Sequence, residues 1–262
     1  MDLGLKNKSI LVLASSKGLG KAIAQQFAEE GARVMISSRD ENQLKEVAAE
    51  IVRTTGAEVN YKVCDIKEPE EIKALVEETA SLYGTVDVLV NNCGGPPAGG
   101  FDQFVDDDWQ HAFELTLLSY VRTIREVLPY MKKQHEGRIL NITSSSIKQP
   151  IDNLTLSNTF RMGVAGLAKS LSQELAQHKI LINTVGPGRV ATERLAELDQ
   201  IKAGKLGVSH EIVKQQSENS IPLGRYGEPE EFAKTVVFLS SEANTYITGQ
   251  MILVDGGMTK AF

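Results

Sequence analysis

Seven short aliphatic runs recur along the chain, each separated from the next by a longer stretch of mixed polarity. They are Ser9–Ala14, Arg33–Ser37, Val59–Val63, Val86–Val90, Arg138–Ile142, Ile180–Val185 and Met251–Val254. Continuous aliphatic content, without strict alternation, predicts strands buried on both faces of a parallel sheet. The stretches between carry helical spacing. Ile23, Ala24, Phe27 and Ala28 give two i, i+4 rows, and Gly31 stops that helix. Between the third and fourth runs, Ile72, Leu75, Val76, Thr79 and Leu82 form one stripe of a helix. Strand–helix–strand repetition with right-handed crossovers predicts a doubly wound α/β fold of about seven strands. No linker or short repeat interrupts residues 1–262, which predicts a single domain. The rhythm breaks only at Glu193–Glu228, a polar stretch with Gly204, Gly207, Gly224 and Gly227 that ends at Pro229. A long excursion near the strand ends reads as a lid or binding loop, with a helical decoration as the alternative.

Composition narrows the classes. Hydrophobic residues at 42% and charged residues at 24% suit a packed core and argue against disorder. The 28 Lys and Arg against 34 Asp and Glu leave a net charge of −6 with no basic block, so neither nucleic acid nor an anionic membrane is an expected partner. No apolar run approaches the ~20 residues that span a bilayer. The start, Met1 to Ser9, has no signal-peptide apolar region. Cys64 and Cys93 are the only cysteines, which predicts a reducing, cytoplasmic setting. His111, His135, His178 and His210 never fall at metal-ligand spacing, so no metal is expected.

The first aliphatic run continues into Ser15-Ser16-Lys17-Gly18-Leu19-Gly20. Glycines directly after a buried strand, opening a helix, let backbone amides approach a phosphate at the positive end of the helix dipole. The spacing is not G-x-G-x-x-G, but the place in the first βα unit predicts a nucleotide phosphate. Further on, Asn91-Asn92-Cys93-Gly94 follows the fourth run, and Pro187-Gly188 precedes Val190 and Thr192. Thr245 to Gln250 and Val254-Asp255-Gly256-Gly257 close the chain.

Together, in this order, these motifs resemble the short-chain dehydrogenase/reductase family, in its β-ketoacyl-carrier-protein reductase branch. The resemblance implies a Rossmann-like domain, and it covers nearly the whole chain. The family's turn is T-G-x-x-x-G-x-G; here Leu13 takes the Thr place and Ala14 the first Gly place. The extra methyl of Ala14 requires a negative φ there. By resemblance, Ser16, Lys17, Gly18, Leu19 and Gly20 bind the pyrophosphate. Asp65 and Ile66 flank the adenine, Asn92 and Gly94 lie beneath the ribose, and Pro187, Gly188, Val190 and Thr192 hold the nicotinamide. Asp65 could instead cap the next helix.

The second run ends Ser37-Ser38-Arg39, where a carboxylate would select a free ribose 2′-hydroxyl. Arg39, with Lys17, points to NADP(H) in preference to NAD(H), because a guanidinium clamps a phosphate. The other reading pairs Arg39 with Asp40 or Glu41 and leaves Lys17 solvated.

The family reduces carbonyls with an Asn, a Ser and a Tyr-x-x-x-Lys. Counting along this chain places Thr116 at the Asn position, Ser144 at the Ser, Ser157 at the Tyr and Arg161 at the Lys. An aliphatic hydroxyl is a far weaker acid than a phenol with its pKa near ~10. Arg161 keeps the charge but cannot relay a proton. Lys148 and Tyr120 are alternative proton donors, each also readable as structural. Two functions stay open: an NADP(H)-dependent carbonyl or 3-oxoacyl reductase with a rebuilt centre, and a nucleotide-binding sensor or partner subunit without catalysis. A lyase or isomerase has no residue in its favour. Arg161 suggests an anionic, carboxylate-bearing substrate; an acyl-carrier thioester remains possible by resemblance. Cys93 reads as a small buried apolar residue. Trp109 and Phe113 should pack their helix. By resemblance, the closing segment ending at Phe262 builds a homotetramer.

Overall fold

The computed structural model describes residues 1–261. Seven parallel strands form one sheet: β1 (Ser9–Val12), β2 (Arg33–Ser38), β3 (Val59–Val63), β4 (Val88–Asn91), β5 (Gly137–Ile142), β6 (Ile180–Pro187) and β7 (Met251–Val254). Their order is β3-β2-β1-β4-β5-β6-β7. All seven runs expected from the sequence are strands. β1 ends at Val12, before Leu13 and Ala14, because the chain already leaves the sheet there toward the glycine turn.

Successive side chains of a strand point to opposite faces, so the continuous aliphatic runs feed two cores. Ile10, Val12, Val34 and Ile36 pack with Phe27 of α1 (Gly18–Glu29), Leu44 and Ile51 of α2 (Glu41–Thr55), and Phe232 and Val236 of α9 (Pro229–Ser240). Leu11, Leu13, Met35 and Leu89 face the other way. They meet Ile72 and Leu75 of α3 (Pro69–Tyr83), Tyr120 and Val127 of α5 (Ser119–Gln134), and Val164 of α6 (Thr155–Leu175). The α3 stripe departs from expectation at its end. Leu82 is exposed, and Tyr83 is buried in its place. At about 100° per residue, position 82 lies ~80° off the line through Ile72, whereas position 83 returns to it.

Between β4 and β5 the helix is interrupted. After α4 (Asp106–Phe113) comes one π-helical turn, Glu114–Leu118, and only then α5. Trp109 and Phe113 both pack on Phe160 of α6, with ring centroids 5.9 Å apart in each pair. This is the packing role expected of them.

The excursion is helical: α7 (Glu193–Leu206) and α8 (His210–Asn219), with Gly207 at φ 65° ending α7. Asp199 of α7 is 2% exposed. It accepts from Arg189 Nη1 at 2.8 Å and from the Tyr226 hydroxyl at 2.6 Å. A buried carboxylate needs such partners, and here they join the helix to both ends of the excursion. Burial and the Asp199 carboxylate together hold the Tyr226 phenol above its ordinary range.

The strand order reverses between β1 and β4, so the loops leaving their C-terminal ends diverge and open a crevice. Among the described residues, no helix is long and apolar enough to cross a membrane, and no three His, Cys, Asp or Glu residues group as a metal site. Cys64 and Cys93 are both free and buried. Burial, reinforced by the nearby Glu71 and Asp65 charges, pushes the Cys64 thiol up to about 12.

Candidate active site

A cleft of about 870 Å³ runs along that crevice. Its floor begins at the turn after β1. Gly18 has φ 54° and opens α1 with no side-chain cap, which leaves the first-turn amides facing the cleft. Ala14 has φ 46°, where a negative value was expected. The methyl group sits in the left-handed region at a cost of about 1–2 kcal/mol. Four hydrogen bonds fix the turn. Asn92 Nδ2 donates to the Ala14 carbonyl at 3.1 Å. Leu13 N donates to Val90 O at 3.1 Å. Ser15 Oγ donates to Val12 O at 2.8 Å and accepts from Ser37 N at 2.9 Å.

Ala14, Ser16, Lys17, Gly18, Leu19, Arg39, Asp65, Ile66, Asn92, Gly94, Pro187, Gly188, Val190 and Thr192 all line this cleft. Gly20 and Ser37 do not. Gly20 is buried, and a Cβ on it would lie 2.3 Å from the Ala14 carbonyl oxygen. Its role is to let the helix approach the turn. Ser37 is wholly buried behind Ser15, and Ser38 takes its place in the lining.

Asp65 does not cap α3; the cap position is Glu68. Its carboxylate instead accepts from Lys67 N at 3.0 Å, holding a short turn. Thr192 caps α7, accepting from Leu195 N at 3.3 Å. Lys17 is not simply solvated. It pairs with Glu193 at 2.9 Å across the mouth of the cleft, and the Glu193 hydrogen bond and charge raise its pKa. Arg39 is exposed and has no ion pair among the described residues, so the alternative in which Asp40 or Glu41 neutralises it is not realised. Glu41 pairs with Lys45 instead.

The far end of the cleft brings Ser144, Ser157 and Arg161 together. Ser144 caps the 3₁₀ turn Ser145–Ile147, accepting from Ser146 N at 3.1 Å. Ser157 and Arg161 lie one turn apart on α6 and are buried. Arg161 donates from Nε to the Ser157 oxygen at 3.2 Å and from Nη1 to the Ile142 carbonyl at 3.2 Å. Thr116 is the exception. It is wholly buried in the π turn, its hydroxyl has no partner among the described residues, and it does not line the cleft.

The two alternative proton donors also lie outside the lining. Lys148 ends the turn after Ser144. Tyr120 is fully buried and donates to the Ile142 carbonyl at 2.8 Å. Burial first, and the Cys93 thiol next, hold its phenol well above the ordinary range, with Arg161 opposing. Several lining residues had no signature in the sequence. Leu154 stands just before α6, His111 and Leu115 come from α4 and the π turn, and Pro96, Arg194 and Leu198 form the outer wall. Arg194 Nη2 reaches the Pro96 carbonyl at 3.4 Å.

The family model described as enoyl-(acyl carrier protein) reductase matches residues 13–259. The 3-oxoacyl-[acyl-carrier-protein] reductase of Aquifex aeolicus is 35% identical over 98% of this chain and 100% of its own. The chain belongs to the short-chain dehydrogenase/reductase family. Within this family of oxidoreductases it falls in the 3-oxoacyl-carrier-protein reductase branch. The reductase of the same name from Staphylococcus epidermidis is 34% identical over 96% of this chain and 99% of its own. L-sorbose reductase from Gluconobacter frateurii, solved with NADPH and L-sorbose, superposes with a TM-score of 0.95 at 31% identity over 100% of both chains. Actinorhodin polyketide ketoreductase, solved with NADPH, gives 0.93 at 33% identity over 97% of both chains.

Proposed function

We propose that this short-chain dehydrogenase/reductase is a carbonyl reductase that uses NADPH and works through Ser144, Ser157 and Arg161 in place of a tyrosine acid. The observation that carries this reading is one uninterrupted cleft, from the uncapped start of α1 to the Ser144–Ser157–Arg161 group. A dinucleotide fits the residues present. The free amides of α1 suit a pyrophosphate, and Arg39 and Lys17 flank the place for a 2′-phosphate. Asn92, Gly94 and Val190 line the way to the catalytic end. NADPH would supply a hydride.

At the catalytic end, the Ser144 and Ser157 hydroxyls donate to the carbonyl oxygen. Arg161 Nε, already on the Ser157 oxygen, polarises that hydroxyl and places a fixed positive charge behind the developing alkoxide. The proton comes from water, because none of these groups is an acid near neutrality. Loss of a general acid typically costs ~10²–10⁴-fold, so slow turnover is expected. The substrate is a small carbonyl compound or an acyl thioester.

Fluorescence titration with NADPH and NADH, followed by NADPH oxidation across a carbonyl panel, tests this. Tight NADPH binding with turnover supports it. Binding without turnover of any carbonyl would leave a nucleotide sensor or partner subunit. Absence of binding would sink both.

Three further features favour particular assignments. Strand β7 lies at the sheet edge and is only half-buried, with Met251 37% exposed. A strand of this type is normally covered on both faces, which favours a homotetramer that covers it; light scattering would show monomer if this is wrong. The two free cysteines favour a cytoplasmic setting. The α7–α8 excursion, whose first turn carries Glu193 and Arg194 at the cleft, is the natural lid.

A further inference from the structure

Arg161 is a buried charge without a counter-ion. It is 7% exposed. Two of its nitrogens are used, one on the Ser157 hydroxyl and one on the Ile142 carbonyl, both uncharged acceptors. Nη2 makes no hydrogen bond to a described residue, and the side chain lines the cleft. Arg189 and Arg138, also turned inward, are paired, with Asp199 at 2.8 Å and with Glu136 at 3.7 Å, whereas the less buried Arg122 and Arg33 rest on backbone carbonyls.

The carboxylates that line the cleft are all engaged elsewhere. Glu193 holds Lys17, Asp65 holds its own turn, and Asp40 caps α2 through Gln43 N. None is paired with Arg161, whose bonds go to Ser157 and Ile142. Buried charges in proteins are otherwise paired. Resting on the reductase reading, a bound cofactor would not serve either: its phosphates belong at the α1 end, and its ribose hydroxyls are neutral. Arg194, on the outer wall, is itself paired with Glu197 at 3.3 Å.

We infer that the substrate is a free oxo acid, with its carboxylate one or two carbons from the reduced carbonyl, and that Arg161 binds that carboxylate. Ser157 and Arg161 are themselves in contact, so a ligand that spans both has its carbonyl and carboxylate close together. In the reaction, the carbonyl carbon gains a hydride and the C=O π pair moves to oxygen. That oxygen takes a proton from water, NADPH becomes NADP⁺, and the carboxylate is unchanged. A thioester is neutral at this place and would leave the guanidinium unpaired. On this point the chain departs from the carrier-protein reductases it resembles in sequence.

The test is a series of 2-oxo and 3-oxo acids, each paired with its methyl ester, together with an acetoacetyl thioester, all assayed by NADPH oxidation. Sites built for a polar group reject analogues lacking it strongly. The acids should exceed their esters in kcat/KM by about 100-fold, and Arg161→Gln should abolish the difference while NADPH binding persists. Arg161→Lys, which keeps the charge, should restore part of it. Calorimetry of 3-hydroxybutyrate and 2-hydroxybutyrate binding to the NADPH-loaded protein reads the same contact without turnover. If Arg161→Gln fails to fold, the wild-type acid-to-ester ratio and Arg161→Lys decide.

Esters or the thioester reduced as well as the acids would overturn the inference and leave the reductase standing. So would an acid preference that survives Arg161→Gln. No oxidation of NADPH by any carbonyl would defeat the reductase reading. Hydroxy-acid binding that is lost in Arg161→Gln would then still support the carboxylate site, and its absence would end both.

Discussion

Arg161 turns back along its own helix and donates from Nε to the Ser157 hydroxyl at 3.2 Å, tying the two most altered positions of the catalytic end to each other. The serine oxygen accepts this bond, so its hydrogen is free to be donated to a ligand in the cleft. Replacing Ser157 by Ala removes this donor and frees the guanidinium. Loss of one preorganised donor to an oxyanion costs ~10²–10³-fold in kcat. Ser157→Ala should show a loss of this order with NADPH affinity within about twofold of wild type. An unchanged kcat would show that Ser157 is not a donor.

Ala14 holds a left-handed backbone conformation that glycine adopts at no steric cost. Ala14→Gly should stabilise the fold by about 1 kcal/mol, the relief of strain being partly offset by the extra freedom of the unfolded chain. Thermal melts should move up by ~2–4 °C. A lower melting temperature would mean that the methyl is favourably packed and the turn unstrained.

Lys17 and Glu193 join the phosphate turn to the first turn of α7 at 2.9 Å. A phosphate on Lys17 competes with that carboxylate for the ammonium. Both side chains are largely exposed, so the pair is weak. Glu193→Gln should tighten NADPH binding by up to about fivefold. The gain should shrink with added salt, because exposed charges are screened. Weaker binding in the variant would show instead that the pair preorganises the turn.

Glu231 accepts twice from Arg225, at 2.7 Å in each contact, and also from Glu228 N. The Arg225 hydrogen bonds, followed by the backbone one, hold its carboxyl down to about 2. A depressed carboxylate contributes stability above its unfolded pKa, near ~4.3, and loses it as pH falls through the folded value. The melting-temperature difference between wild type and Glu231→Gln should therefore be full at pH 5 and fade toward pH 2. A difference independent of pH would locate the effect outside the ionised pair.

The sheet was legible in the sequence because strands buried on both faces concentrate aliphatic residues, and all seven runs mark a strand. The glycine turn and the trio Ser144, Ser157 and Arg161 were legible too, since their spacing along one strand end and one helix survives folding. The rest of the cleft lining was not. His111, Leu154 and Arg194 arrive from three separate elements, and no local spacing relates them. Gly20 and Ser37 show a different limit. Both stand inside the expected motif, yet one serves helix approach and the other anchors Ser15. Ala14 failed on the sign of φ, because tertiary contacts such as the Asn92 bond impose a conformation its own preference disfavours. Thr116 sits in the π turn, buried away from the cleft, and spacing along the sequence does not show which way a residue in such a turn faces.

That wide turn works as a phase shift. One residue inserted into a helix rotates everything before it by about 100° relative to everything after it. His111 and Trp109 are therefore set on a different clock face from Tyr120 and Thr123, although the backbone stays helical from one to the other. The cleft wall and the deep core can then be tuned separately along a single rod. Removing one residue from Glu114–Leu118 would bring the two halves back into step and turn His111 out of the wall, while leaving β4 and β5 where they are.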